Sequence, residues 1–441
     1  MPKYIPLRLT SYLSILVLLW TFGAAASSGA SNGGPEESAV HGIPVGPGLY
    51  RLFGTDPDLP TEDLEPLHFI VGNARFIGLG ESVHTVGGFY EMKHRIFRFL
   101  VEEMGVRALG FESPWIAAEV ASEYVRTCEG SSLEATRSLL SVFESEETRA
   151  LLEWMCEWNQ RHPKDPVHFY GFDIQNRDDA NTAPLIAFLR RLEPWDTEPL
   201  IDGILACDGA ETSYYPTQPF PEELYTECQA ALTGTEQFLS ENARRISRLT
   251  SPEELAWAEV ALISAQTWQE QIFFLFSDFE RAYAARDRGM AEVAQAIRAI
   301  RFPRAKTALW AHNGHVIKNG PQASNGLTTM GTFLDDAMGK FYVSLALSAY
   351  NTYTEWPFIG FCGGPFNLFG PNPVEVPLQE TGETALLADF DPRGQHPGFF
   401  DPDVTYWVGG IGGFLADHFD GMIYLESARA MDPLFLFEPC P

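Results

Sequence analysis

One stretch of the chain, RFIGLGESVHTVGGFYEMKHRIFRFLVEEMGVRALGFE over residues 75–112, constrains the fold more than any other. It reads as strand, polar loop, helix, strand, and both strands stop on a carboxylate. Residues 75–80 are a short apolar run that ends at Glu81, with His84 three residues later. Phe89, Met92, Ile96, Phe99 and Leu100 then recur at helical spacing, and Gly105 stands where a helix end favours a left-handed residue. Residues 106–111 form a second buried-looking strand that ends at Glu112. In a parallel α/β sheet the carboxyl ends of the strands face one crevice, so Glu81, His84 and Glu112 are expected to converge there.

The same signature recurs downstream. Residues 167–172 (VHFYGF) form a third strand that runs into Asp173, with Gln175 close behind, and residues 306–311 (KTALWA) form a fourth that ends in His312-Asn313-Gly314-His315. A buried strand capped by polar groups, repeated four times, predicts a shared site. Further strands are expected at 341–347 and 421–425. Residues 113–161 read as a long helical stretch and 177–300 as a helical insertion, with Ser251 as N-cap and Pro252 at its first position. Residues 196–221 look less regular, and the Pro-, Gly- and aromatic-rich 351–402 reads as loops. Within the last helix of the insertion, Arg286 and Met290 share a face, which suits either a surface ion pair or a site contact. The expected fold is therefore α/β, a mostly parallel central sheet flanked by helices, with the insertion forming part of the cleft.

Residues 1–26 combine a short basic start (Lys3, Arg8), an apolar core and an Ala-Ala-Ala-Ser end, the pattern of a signal peptide; the apolar run falls short of the ~20 residues of a spanning helix. Residues 27–40 read as a disordered leader, leaving 41–441 as the folded domain of a secreted or periplasmic protein. The formal net charge is −29 at pH 7, and loss of the two cations of the leader makes it more negative still. Such a surface repels phosphate backbones and anionic headgroups, so neither nucleic acid nor, after signal cleavage, membrane is an expected partner. A small molecule in the cleft is; the oligomeric state is left open. The six cysteines suit disulfides in an exported chain, with neighbour pairing 128–156, 207–228 and 362–440. None has CxxC spacing, and no GxSxG elbow, P-loop or GxGxxG occurs.

The segments GESVHTVGGFYEMKHRIFRFLVEEMGVRALGFE, YGFD, ARDRGMAEV, WAHNGHV and FDGMIYLES, in this order between about residue 75 and residue 427, resemble the erythromycin esterase family. The resemblance implies a hydrolase of carboxylic esters, cyclic ones above all; the best-known members open a macrolide lactone and so confer antibiotic resistance. It places the family's catalytic histidine on His84, its accompanying acids on Glu81 and Glu112, its histidine pair on His312 and His315, and its basic helix residue on Lys93, where some members carry Arg. Lys93, Asp173 and Arg286 are the expected substrate-binding residues. The chain departs from the family at Thr85-Val86-Gly87-Gly88, where many members have Gly-Thr-Arg-Glu, and at Val293, where Asn is usual. These changes bear on substrate contacts.

The chemistry these residues support is water activation without a covalent intermediate. A neutral imidazole, ordinarily with a pKa near ~6.5, can take a proton from water as it attacks an ester carbonyl. Glu81 or Glu112 would orient His84, and His312 or His315, with Lys93, would donate to the oxyanion, at roughly 3–4 kcal/mol per donor. No cofactor is needed. Glu81, His84, Glu112, His312 and His315 are also a donor set for zinc or manganese, which makes a metal-dependent hydrolase the alternative. A non-catalytic exported binding or polysaccharide-associated protein of the same fold is the other.

Overall fold

The computed structural model describes residues 44–175, 181–214, 218–356, 361–391 and 397–434. The signal peptide expected over residues 1–26 and the leader expected over 27–40 lie outside them. Twelve strands are present among the described residues: β1 (Pro44–Gly46), β2 (Leu49–Arg51), β3 (Phe76–Leu79), β4 (Val106–Pro114), β5 (His168–Asp173), β6 (Lys306–Trp310), β7 (Tyr342–Trp356), β8 (Phe361–Phe366), β9 (Ala385–Asp389), β10 (Tyr406–Val408), β11 (Ile411–Gly413) and β12 (Gly421–Ala428). Ten form one sheet in the order β1-β2-β9-β12-β7-β3-β6-β4-β5, with β8 on β7; β10 and β11 form a separate hairpin.

The stretch from β12 to β5 is parallel throughout, and the β1-β2-β9-β12 edge is antiparallel. The mostly parallel sheet is as expected, and the antiparallel edge is an addition to it. Its strands were hidden because β1 and β2 have three residues each and β9 lies in the stretch read as loops. Alternation along each strand feeds two cores. Tyr170 and Phe172 of β5 face the layer built with the insertion helices, whereas Phe169 faces the layer built with Gly87–Met104. Burial on both faces is what makes parallel strands read as near-continuous apolar runs.

The helix Gly87–Met104 ends at Gly105 in the left-handed conformation (φ 70°), as its sequence predicts. Residues 113–161 hold three helices, Glu119–Thr127, Ser132–Arg137 and Glu146–Arg161, and not one long one. Ser131 and Ser145 cap the second and third, accepting from the main-chain N–H of Glu134 and Thr148, so new helices start where the apolar pattern alone shows no break. The insertion is helical as expected, with Ser251 accepting from Glu254 N–H at the predicted start. Residues 198–214, read as irregular, are a helix too, Glu198–Tyr214. Two of the expected disulfides are present, Cys128–Cys156 and Cys207–Cys228. The third pairing falls on Cys440, outside the described residues. No helix among the described residues is long and apolar enough to cross a membrane.

Within the core beneath the helix Gly87–Met104, His94 packs edge-on against Trp154, ring centroids 5.7 Å apart, and neither ring nitrogen has a hydrogen-bond partner. Burial, with the charge of Arg98 nearby, lowers its pKa to about 3. The folded ring therefore stays neutral while the unfolded ring takes a proton below pH ~6.5, so acid favours unfolding by about 1.4 kcal/mol per pH unit for this group. Wild-type stability is expected to fall as the pH drops from about 6.5 towards 3, and His94→Leu is expected to remove one proton's worth of that slope. Urea melts at a series of pH values check this.

Candidate active site

Four parallel strand ends build the site. β3 delivers Glu81 and His84 on the loop that follows it, β4 carries Glu112 within its last turn of pleat, β5 ends on Asp173, and β6 leads into His312 and His315. Gly80 allows the close approach. A Cβ there would collide with Asn313 Oδ1, and Asn313 is needed where it is because its amide pairs with both main-chain groups of Leu347 (Nδ2 to O, 2.9 Å; N to Oδ1, 3.2 Å). The HNGH turn is thereby pinned to β7 beside the loop that carries His84.

His84 Nδ1 lies 2.6 Å from Glu81 Oε1, and Lys93 Nζ lies 2.6 Å from Glu81 Oε2. Lys93 and Glu81 are fully buried; the ammonium also donates to Ala311 O at 3.1 Å and sits 4.6 Å from the centre of the Trp310 ring. Burial lowers the Lys93 pKa to about 8 against the pull of Glu81. Burial would raise the Glu81 carboxyl, but Lys93 and His84 outweigh it and hold it below the usual range. Glu81 is thus an anion held in place by a cation beneath it, and its other oxygen orients the imidazole. Lys93, an expected substrate-binding residue, has its ammonium on Glu81 and on Ala311 O.

The residue after His84 is strained. Thr85 has φ 66°, a left-handed conformation that a β-branched side chain rarely adopts, at a cost of about 1–3 kcal/mol. Its N–H donates to Tyr90 Oη (2.8 Å) and its carbonyl accepts from Met431 N–H (3.0 Å), so the helix and the C-terminal segment hold it there together.

A second cluster stands opposite. Arg286 clasps Asp173 with two bonds (Nε to Oδ1, 3.2 Å; Nη2 to Oδ2, 2.6 Å) and reaches Glu112 Oε1 at 3.0 Å. The other oxygen of Glu112 accepts the His312 main-chain N–H at 2.8 Å. His315 Nδ1 lies 2.9 Å from Asp287 Oδ1, and its Nε2 lies 3.3 Å from Glu112 Oε1. Burial opposes a charge on His315, but Asp287 and Glu112 prevail and raise its pKa to about 9; Arg286, with Nη1 2.9 Å from Nε2, works against them. Glu112 is held well below the usual carboxylate range, burial being outweighed by His315, His84 and Arg286.

His312 stands between the clusters, its ring centroid 5.3 Å from that of His84 and 6.4 Å from that of His315. Gly314 N–H donates to Nδ1 (3.0 Å), which leaves the proton on Nε2, directed at Ser82 O (2.9 Å). Burial, with the charges of His84 and His315, lowers its pKa to about 3. The two rings of the HNGH turn are therefore pushed in opposite directions, His312 down by burial and His315 up by Asp287 and Glu112, which is the pattern of a site that divides acid and base roles.

All eight residues singled out in the sequence lie in this one region. Arg286 belongs to the buried network and not to the helix surface. Two members escaped the sequence reading: Asp287, fully buried against His315 and also accepting Met330 N–H at 2.6 Å, and Tyr283, stacked on His315 with centroids 5.3 Å apart. Asp287 lies within ARDRGMAEV and Tyr283 one turn before Arg286, and for Tyr283 that helical spacing was the available signal.

Both oxygens of Glu81 face His84 and Lys93, those of Glu112 face Arg286 and the His312 N–H, and His312 Nδ1 accepts Gly314 N–H. Among the described residues no three His, Cys, Asp or Glu side chains converge as a metal-holding group.

The sequence model of the erythromycin esterase family matches residues 101–427. The chain belongs to this family. The matched range holds Glu112, Asp173, Arg286, His312 and His315, while Glu81, His84 and Lys93 precede it. An erythromycin esterase type II of Escherichia coli is 24% identical over 372 residues, 76% of this chain and 85% of that one. A putative hydrolase, YbfO of Bacillus subtilis, is 23% identical over 396 residues, 83% of this chain and 86% of its own. Among solved structures, the open conformation of a mutant of the erythromycin esterase EreC superposes with a TM-score of 0.67 at 18% identity, covering 87% of this chain and 98% of EreC. That likeness establishes the shared fold.

Proposed function

We propose that this protein hydrolyses carboxylic esters, lactones and macrolide-like rings among them, by attack of a water that His84 deprotonates. The observation that carries the proposal is the buried Lys93–Glu81–His84 relay, with 2.6 Å at both steps. Glu81 holds the proton of His84 on Nδ1, which presents Nε2 as the basic nitrogen, and its negative charge stabilises the imidazolium formed when the water is split. The opposite wall supplies the complementary charge. Arg286 is the cation for the developing oxyanion, whereas His315 is held by Asp287 and His312 directs its N–H to Ser82 O and acts as the wall that holds the His84 ring. Lys93 is a positioning residue, since its charge reaches the reaction only through Glu81.

A covalent route is disfavoured by the hydroxyls of the loop. Ser82 Oγ and Thr85 Oγ1, the two hydroxyls there, are buried and hydrogen-bond to none of the three rings, whereas a hydroxyl nucleophile is held by its base. The family relatives named erythromycin esterase support the ester class.

The test is turnover of a macrolide and a panel of simpler lactones in ¹⁸O-labelled water, with mass spectrometry of both product and protein. A gain of one water, with the label in the product acid after a single turnover and no acylated protein, is expected. Turnover is also expected to continue undiminished in a chelator. A trapped acyl-protein, or complete loss of rate on chelation restored by a divalent metal, would replace the water-base mechanism by the covalent or the metal one.

A further inference from the structure

Glu375 is fully buried, and nothing said so far uses it. It opens the short helix Glu375–Gln379 in the stretch that reads as loops. Its Oε1 accepts two hydrogen bonds, from Ser348 Oγ of β7 at 2.6 Å and from the main-chain N–H of Gly409 at 2.7 Å; Oε2 has no hydrogen-bond partner. Gly409 is the first residue of the turn joining β10 to β11. It has φ 54°, and a Cβ on it would collide with Ser82 Cβ and stand 3.4 Å from Asn313 Nδ2. The turn therefore rests on the loop that carries His84 and on the HNGH turn at once. Glu375 is the side chain that ties it down.

We propose that Glu375 is a positioning residue of the active site: as a neutral carboxylic acid it latches the Gly409–Gly410 turn against Ser82 and Asn313, and on ionisation it releases the turn. This deepens the hydrolase reading above and rests on it for its effect on rate. Two observations favour the neutral form. A carboxylate with one oxygen buried and unpartnered is costly, because the charge is desolvated without compensation. Burial accordingly raises the Glu375 pKa to about 7, opposed only by the Ser348 hydroxyl and the main-chain N–H groups of Gly409 and of Glu375 itself. No charged side chain figures among these influences. The titratable groups on the strands packed beside it are Tyr350 of β7 and Tyr424 and Glu426 of β12. Tyr424 is buried with an unpartnered hydroxyl, and its pKa is pushed up by burial and by Glu426 and Glu375. The loop under the turn carries Glu81 and His84, which are paired with each other. Ionised Glu375 thus finds no cation, and the surroundings relieve its charge by admitting water at the turn.

The pH profile separates a latch from a merely structural residue. Wild-type kcat/KM is expected to decline above pH about 7, where Glu375 ionises. Glu375→Gln keeps the acceptor oxygen and cannot ionise, so it should hold its rate until pH about 8, where Lys93 loses its proton. Ser348→Ala removes a donor that favours the charged form, so its decline should move to higher pH than in wild type. Amide hydrogen exchange by mass spectrometry over residues 406–413, corrected for the intrinsic rise with pH, reads the latch without any substrate. Protection of Gly409 is expected to fall about tenfold between pH 6 and 8.5 in wild type, the equivalent of one lost hydrogen bond, and to stay level in Glu375→Gln. Level protection in both proteins, or identical rate profiles in wild type and Glu375→Gln, would overturn the proposal. If no ester is turned over, the exchange measurement still decides for or against the latch while the hydrolase reading fails by itself.

Discussion

His84→Ala is expected to lower kcat by about 10²–10⁴-fold, the usual contribution of a positioned general base, with KM little changed and the fold retained. The fold should survive because His84 sits at the cleft with 8% of its surface exposed and the variant removes a ring, not a core apolar group. The variant also leaves Glu81 its other partner, Lys93, so no buried charge is stranded. His312→Ala is expected to cost less, since its N–H is bound to Ser82 O and its ring acts on His84 by contact at 5.3 Å between centroids. Steady-state kinetics on the best lactone, with denaturant melts of each variant, check both. Activity near the wild-type level in folded His84→Ala would move the base to another group of the site.

How much of this was legible in the sequence follows from what each residue does. Glu81, Glu112, Asp173 and the HNGH turn were visible because each terminates an apolar run, and a parallel sheet gathers such ends in one place. Arg286 was ambiguous because a helix pattern cannot tell a surface ion pair from a buried one; the partners, Asp173 and Glu112, lie 113 and 174 residues away. The protonation states of His312 and His315 were illegible for the same reason. They are set by burial and by His84, Asp287 and Glu112, which the motif alone does not show. The Pro- and Gly-rich stretch over 351–402 gave the clearest misreading. Its glycines and prolines look like loop, yet β8 pairs with β7, and β9 with both β2 and β12, because long-range pairing overrides weak local preference. Glu375 lay within that stretch and so escaped.

Lys93→Met carries the largest expected effect on stability. Lys93 and Glu81 are both fully buried, so removing the cation leaves a carboxylate desolvated and facing only His84. Breaking a buried pair in this way costs about 3–5 kcal/mol, whereas replacing both partners with neutral groups of similar volume often costs little. The double variant Glu81→Gln/Lys93→Met is therefore expected to melt closer to wild type than Lys93→Met does. It is expected to stay inactive all the same, because a neutral amide in place of the Glu81 carboxylate can orient His84 but cannot stabilise the imidazolium that forms when water is split. Urea midpoints for the two single variants and the double, set beside their kcat values, separate the two functions of the pair. Stability restored without activity assigns to Glu81 its charge in the reaction and to Lys93 the task of keeping that charge buried. Equal stability of Lys93→Met and wild type would mean that water already reaches Glu81, and the relay would then be an open ion pair of the kind that contributes little.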